Sequence, residues 1–298
     1  MARRVAWLVF GLLSAGVFLL LFVNRDITRW RLSQLPGEVE SVRNLAYIEA
    51  SAHPKHKLDV HRPRQAGKAA VVHFVHGGYW VEGDKDFHGW LTGLYGSIGV
   101  ALAKRGVVTV IQNYRLAPEV GPEEMLSDVS AGLAWTLENA ANHGGDPSRV
   151  FMMGHSAGGH LVALHAAREA KTASGPRVRG HVILSGVFDL QDMRAHKDEA
   201  FNAQVTDVVF GTAKARLARY SPMNAFGPNI GPVLVMVGSR DEAYLIPQAR
   251  RAHARLKVSA QDGRLVELAG YTHEDMVLRF GTETDPLSEA VLAFIARH

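Results

Sequence analysis

The order of strand-like and helix-like segments in this 298-residue chain predicts an α/β protein, a mostly parallel twisted sheet with helices on both faces. Three features carry that expectation. Strand and helix patterns alternate from about residue 45 to the C-terminus. The segment Ala69–Val75 is apolar apart from His73, as a strand covered on both faces requires. Glycine-rich turns follow two of the strands, at His76-Gly77-Gly78 and at Gly154-His155-Ser156-Ala157-Gly158-Gly159.

In chain order, Leu45–Glu49 and Lys57–His61 read as short strands and Ala69–Val75 as a buried one. Leu94–Lys104 follows as a helix and Val107–Ile111 as a strand. Glu123–Asn142 has long 3.6-residue periodicity and stops at His143-Gly144-Gly145, a helix-ending signal. Val150–Met153 is a strand, Ala157–Ala170 a helix and His181–Leu184 a strand. Pro232–Val237 and Leu265–Ala269 are the last strands, separated by a helix around Pro247–Leu256 and closed by the helix Pro286–Arg297. The segment 195–223 fits this alternation least well and is a candidate small cap over the site.

Residues 1–37 stand apart. Val5–Val23 is 19 residues without a charge, about 28 Å as a helix, close to the ~30 Å hydrocarbon core of a bilayer. No small-residue cleavage site follows it, so the expectation is a single-pass N-terminal anchor and linker over 1–37, with the catalytic domain over 38–298. Arg3 and Arg4 precede the span; Arg25, Arg29 and Arg31 follow it. The positive-inside rule is therefore not decisive, and the short leading tail slightly favours an extracytoplasmic domain. These arginines account for the whole formal net charge of +4, since only Asp26 opposes them within the first 35 residues. The neutral remainder argues against a nucleic-acid binder. The absence of cysteine excludes a disulfide scaffold, a thiolate metal site and a cysteine nucleophile.

The chemistry is concentrated in two loops. Gly154-His155-Ser156-Ala157-Gly158 matches G-x-S-x-G between a predicted strand and a predicted helix. A nucleophile on such a turn is exposed at the carboxyl edge of the sheet, and small neighbours let the turn close. The N–H of Ala157, at the start of the helix, points into the same space. Acyl transfer develops negative charge on the carbonyl oxygen, and backbone N–H groups aimed at it stabilise that charge. Gly77 and Gly78, directly after the apolar strand, can supply such donors from the opposite side.

A serine needs an adjacent base oriented by a third group, in the chain order serine, acid, histidine. Asp241 lies after the apolar strand and a glycine turn, with Glu242 and Asp189 as competitors. His273 follows the last strand; His253 falls within a predicted helix. Most of the fifteen histidines are expected to be structural. His76 and His155 orient loops rather than accept a proton, and His53, His56 and His61 fit no familiar metal-ligand spacing.

Together these residues resemble the α/β-hydrolase superfamily, within it the hormone-sensitive-lipase-like esterases and their relatives, including kynurenine formamidases and prenylcysteine methylesterases. The resemblance spans roughly Lys57 to His298. It includes His76-Gly77-Gly78-Tyr79-Trp80, Asn113-Tyr114-Arg115-Leu116-Ala117-Pro118-Glu119, Gly145-Asp146-Pro147-Ser148-Arg149, the serine motif, Asp241 and His273. It departs at Tyr79, where the lipase-like branch usually has a third glycine, and at Asn113, where aspartate is usual. The resemblance implies an α/β-hydrolase fold and a carboxylic-ester hydrolase acting on small-molecule esters, with no cofactor or metal. Its triad would be Ser156, Asp241 and His273, and its oxyanion hole Gly77, Gly78 and Ala157. An arylformamidase-like amidase with the same triad, and a non-catalytic binding protein on this fold, are the alternatives.

Overall fold

A computed structural model describes residues 38–65, 67–87, 93–172, 177–259, 262–282 and 285–298. The expected anchor Val5–Val23 lies outside the described residues. Among those described, no helix is long and apolar enough to cross a membrane.

In chain order the main elements are β1 (Val39–Ala46), β2 (Lys57–Pro63), β3 (Ala69–Val75), α1 (Gly96–Ala103), β4 (Val108–Gln112) and α2 (Pro122–Asn139). Then come β5 (Gly145–His155), α3 (Ala157–Glu169), β6 (Gly180–Leu184), α4 (Leu190–His196) and α5 (Lys214–Tyr220). The domain closes with β7 (Val233–Gly238), α6 (Leu245–Ser259), β8 (Gly263–Leu268) and α7 (Pro286–Arg297). The eight strands form one sheet in the order β1-β2-β4-β3-β5-β6-β7-β8. Strands β1, β2 and β4 pair antiparallel; every pairing from β4 through β3 to β8 is parallel.

The apolar strands alternate sides, so the core has two layers. From β3, Val71 and Val75 face one layer, where Met125 and Val129 of α2, Leu161 and Val162 of α3, and Ala252 and Leu256 of α6 pack. Val72 and Phe74 face the other, with Ile98 and Leu102 of α1 and Leu287, Val291 and Phe294 of α7. A strand buried on both faces has few polar positions to spend, and the one polar residue of β3, His73, has its ring nitrogens paired with Thr136 and Gln112.

The first strand differs from expectation. It covers Val39–Ala46 rather than Leu45–Glu49, because an edge strand with mostly exposed side chains carries no apolar pattern. Its register shifts between Val42 and Leu45, where Asn44 has φ 60° and donates its N–H to Asp59 Oδ1 at 2.7 Å. The last strand starts two residues earlier than expected, at Gly263, for a similar reason: most of its side chains are half-buried.

Helix α2 ends through a short 3₁₀ turn, Ala140–His143, and Gly144 closes it at φ 79°, as the glycine stop predicted. The 190–224 segment is a run of short helices joining β6 to β7. Phe210 within it packs edge-on against Trp80, ring centroids 4.9 Å apart, so the segment lies against the loop after β3.

Candidate active site

Parallel strands deliver their C-terminal ends to one edge of the sheet, and the predicted site residues all lie there. Ser156 sits between β5 and α3 with φ 55° and ψ −120°, a conformation that costs a non-glycine residue about 1–3 kcal/mol. Its N–H donates to the Leu184 carbonyl at 2.9 Å, which ties the turn to β6. The flanking glycines are required by space. A Cβ on Gly154 would stand 2.5 Å from the Gly158 carbonyl oxygen, and one on Gly158 would stand 2.1 Å from that of Val75. The turn closes only because both are absent, and its closing brings the start of α3 against the end of β3. A Cβ on Gly77 would be 3.1 Å from the Ser156 Cβ, so the two glycine loops face each other across the serine.

Asp241 follows β7 and His273 follows β8. The His273 Nδ1–H donates to Asp241 Oδ1 at 2.8 Å. The same carboxylate accepts the Glu242 N–H at 2.8 Å and the Ser185 hydroxyl in a short hydrogen bond. Burial works to raise the Asp241 pKa, but the donors from His273, Ser185 and Glu242 outweigh it and hold it below the usual carboxylate value. Burial works to lower that of His273, yet the Asp241 hydrogen bond and charge, with Glu274 and Glu242 beyond, keep it above the ordinary imidazole value. With Nδ1 committed to Asp241, the Nε2 lone pair of neutral His273 is left to act as a base.

His155, the residue before the serine, braces this base. Its Nε2–H donates to the His273 carbonyl at 3.1 Å and the two rings are 4.7 Å apart. Burial, reinforced by the neighbouring His273, lowers the His155 pKa to about 3, so it stays neutral and adds no charge beside His273. Its Nδ1 faces the Tyr95 hydroxyl at 3.3 Å. A Cβ on Gly77 would stand 2.7 Å from that hydroxyl, so the glycine loop passes directly against it. Among the described residues, none of the N–H groups of Gly77, Gly78 and Ala157 makes a hydrogen bond to another backbone group. All three N–H groups expected as oxyanion donors are thus unengaged by the backbone.

The remaining candidates fall elsewhere. Asp189 is the N-cap of α4, accepting from the N–H groups of Gln191 and Asp192, which satisfies two otherwise orphaned donors. His253 lies within α6. His76 Nδ1–H donates to the Gly77 carbonyl at 2.7 Å and its ring stacks on Tyr114 at 4.6 Å. Burial lowers the His76 pKa to about 4, consistent with a neutral loop brace. Among the described residues no cluster of three or more His, Cys, Asp or Glu could hold a metal ion.

Asn113 is explained by its partners. Its Nδ2–H donates to Asp84 Oδ2 at 2.7 Å while its Oδ1 accepts the Lys85 N–H at 2.5 Å. An aspartate there would meet the Asp84 carboxylate and lose the donor. The nearby ion pair is made instead by Arg115, which donates from Nε and Nη2 to Asp128 at 2.9 and 2.7 Å. Together Asn113 and Lys55, whose Nζ donates to the Gly83 carbonyl and to Asp84, hold the far end of the His76–Asp84 loop.

Ser185 and Tyr95 were not legible in the sequence, whereas His155 orients the His273 loop as expected. A serine closing β6 beside the acid-bearing β7 is the only local hint of the first.

A parallel sheet with a strand–serine–helix turn, an Asp–His pair on the next loops and unpartnered N–H groups opposite defines an α/β protein of hydrolase architecture. The match to the alpha/beta hydrolase fold family extends over residues 72–276, and the chain belongs to that family. It is 30% identical over 251 residues to a probable isoprenylcysteine alpha-carbonyl methylesterase of Oryza sativa subsp. japonica, covering 78% of this chain and 58% of that one. It is also 30% identical over 257 residues to esterase LipC of Mycobacterium tuberculosis, covering 81% and 62%. The chain thus spans less than two thirds of the length of these curated relatives. The crystal structure of esterase B from Lactobacillus rhamnosis superposes with a TM-score of 0.74 at 20% identity, covering 100% of this chain and 95% of that one, which shows the shared fold.

Proposed function

We propose that this protein hydrolyses carboxylic esters of small molecules through an acyl-enzyme on Ser156. The observation that carries the reading is the Asp241–His273 hydrogen bond set beside the strained serine turn. Ser156 Oγ attacks the ester carbonyl as His273 Nε2 takes its proton. Asp241 holds the imidazole in the required tautomer and stabilises the imidazolium. The oxyanion forms between the glycine loop and α3, where the N–H groups of Gly77, Gly78 and Ala157 can reach it. Collapse breaks the ester C–O bond and His273 returns the proton to the departing alkoxide. Water, activated by the same histidine, then releases the acid. The names of the two curated relatives, a methylesterase and an esterase, support the ester bond as the target.

Parallel assays on a short-chain aryl ester and an N-formyl aryl amine test the bond. Turnover of the ester, abolished by Ser156→Ala, supports the reading. Turnover of the formamide alone would replace it with an amidase using the same residues. We further propose that Val5–Val23 anchors the chain in a membrane, on the strength of its length and lack of charge. Retention of the full chain in the membrane pellet after an alkaline wash supports this; release into the supernatant contradicts it.

A further inference from the structure

The loop after β3 carries an unusual backbone. Tyr79 and Trp80 are consecutive non-glycine residues in the left-handed region, at φ 52° and 63°. Such conformations persist only where the surroundings over-determine them. Trp80 is held by burial: it is 1% exposed and packs edge-on against His160 and Phe210. Tyr79 is only half-buried. Its hydroxyl donates to Glu242 Oε1 at 3.2 Å, and its ring meets Phe201 edge-on at 5.2 Å. The other oxygen of Glu242 takes a short hydrogen bond from Lys197 Nζ at the end of α4. Burial and the neighbouring Glu242 charge raise the Tyr244 pKa. Lys197 lies over the Phe201, Tyr244 and Tyr79 rings, at 4.7, 5.4 and 5.8 Å from their centroids. Three chain segments therefore meet on one carboxylate: the glycine loop, the 190–224 helices and the loop bearing Asp241.

We propose that Glu242 is a positioning residue of the oxyanion hole, its hydrogen bond from Tyr79 fixing the strained loop so that the adjoining Gly78 N–H faces the developing oxyanion. The proposal rests on the reading of Ser156 as nucleophile. Glu242 makes no hydrogen bond to His273, but its charge helps raise that imidazole's pKa, so rates of all variants are compared on the alkaline plateau of their pH profiles. Lys197 balances its charge and docks the helical segment onto the same point.

The test uses the full chain and the variants Tyr79→Phe, Glu242→Ala, Glu242→Gln and the double variant Tyr79→Phe/Glu242→Ala. Steady-state hydrolysis of a short-chain aryl ester is measured together with inhibition by an alkyl boronic acid, whose tetrahedral serine adduct is anionic. Loss of a whole oxyanion donor costs ~10²–10³ in rate, so displacing one should lower kcat about tenfold or more with KM within about threefold. Boronate affinity should fall by a similar factor. The double variant should be no worse than the weaker single variant, since both remove one contact. Glu242→Gln keeps an acceptor for Tyr79 and should restore kcat to within about threefold of wild type. Unchanged kcat in Tyr79→Phe, an effect on KM alone, or boronate affinity that does not follow kcat would overturn the proposal. Tyr79→Phe decides the matter by itself if Glu242→Ala does not fold. Phosphonate labelling of wild-type Ser156 separates the two levels. A labelled, active wild type with unaffected Tyr79→Phe refutes the positioning role only, and an unlabelled wild type refutes the hydrolase reading and this role with it.

Discussion

Replacing Asp241 by asparagine removes one charge and little volume, and the geometry sets the size of the effect. The carboxylate accepts three hydrogen bonds, from His273 Nδ1–H, the Ser185 hydroxyl and the Glu242 N–H. An amide offers one acceptor oxygen and two N–H donors. With its oxygen toward His273, its NH₂ faces Ser185, whose oxygen can accept in turn. The tautomer of His273 is then correct, but the imidazolium has lost its counter-charge. A close opposite charge moves a pKa by ~1–3 units, or about 1.4–4 kcal/mol, so this orientation alone loses about 10- to 10³-fold. With its NH₂ toward His273, the amide forces the proton onto Nε2 and the base is disabled. A triad aspartate-to-asparagine change that imposes the wrong tautomer costs ~10⁴. The expected loss in kcat/KM for Asp241→Asn therefore lies between about 10-fold and 10⁴-fold, with the fold retained. Ester hydrolysis at neutral pH, with circular dichroism as the check on folding, measures it. A folded variant keeping more than about a tenth of wild-type kcat/KM would refute the assignment of Asp241 as the orienting acid.

Other consequences follow from the same geometry. Because His273 must be neutral to accept the serine proton and Asp241, Glu274 and Glu242 hold its proton more tightly, kcat/KM should fall toward acid with an apparent pKa above the ordinary imidazole value of about 6.5; an acid limb centred below that value contradicts the pairing. Gly158→Ala would drive a Cβ to 2.1 Å from the Val75 carbonyl oxygen and 2.4 Å from that of His76, both backbone atoms. It should destabilise by about 3 kcal/mol or more, a fall of roughly 6–12 °C in thermal midpoint, and a shift under about 2 °C would show the elbow to be looser than described. Asn113→Asp should destabilise by about 1–3 kcal/mol at neutral pH by setting a second carboxylate against Asp84. The mutual repulsion raises the folded-state carboxyl pKa values, so the deficit should shrink as pH falls and one of the pair takes a proton; urea unfolding at two pH values checks it, and a deficit that does not shrink refutes the like-charge explanation.

Much of the architecture was legible because it is written in local pattern. The apolar run of β3 and the G-x-S-x-G turn each need only neighbouring residues to be read, and steric demands on Gly154 and Gly158 explain why those positions admit no side chain. The edge strand β1 was displaced in the sequence reading because its side chains face solvent and its register is set by a bulge rather than an apolar rhythm. Residues that act through partners far along the chain were silent. Ser185 reaches Asp241 across 56 positions and Tyr79 reaches Glu242 across 163, and beyond the place of Ser185 at the end of β6 nothing local announces either contact. Asn113 looked like a departure until Asp84 and Lys85 were placed around it. The charged N-terminal segment remains a statement of sequence: five arginines around an uncharged 19-residue stretch.

The account stands most directly on the reactivity of Ser156. Incubation of the folded protein with a fluorophosphonate ester, followed by peptide mass spectrometry, should show one covalent adduct, on Ser156, with loss of esterase activity in step with labelling. The adduct should be absent in Ser156→Ala and form far more slowly in His273→Ala, each variant remaining folded. No adduct on folded wild type, or an adduct of equal yield in Ser156→Ala, would contradict it.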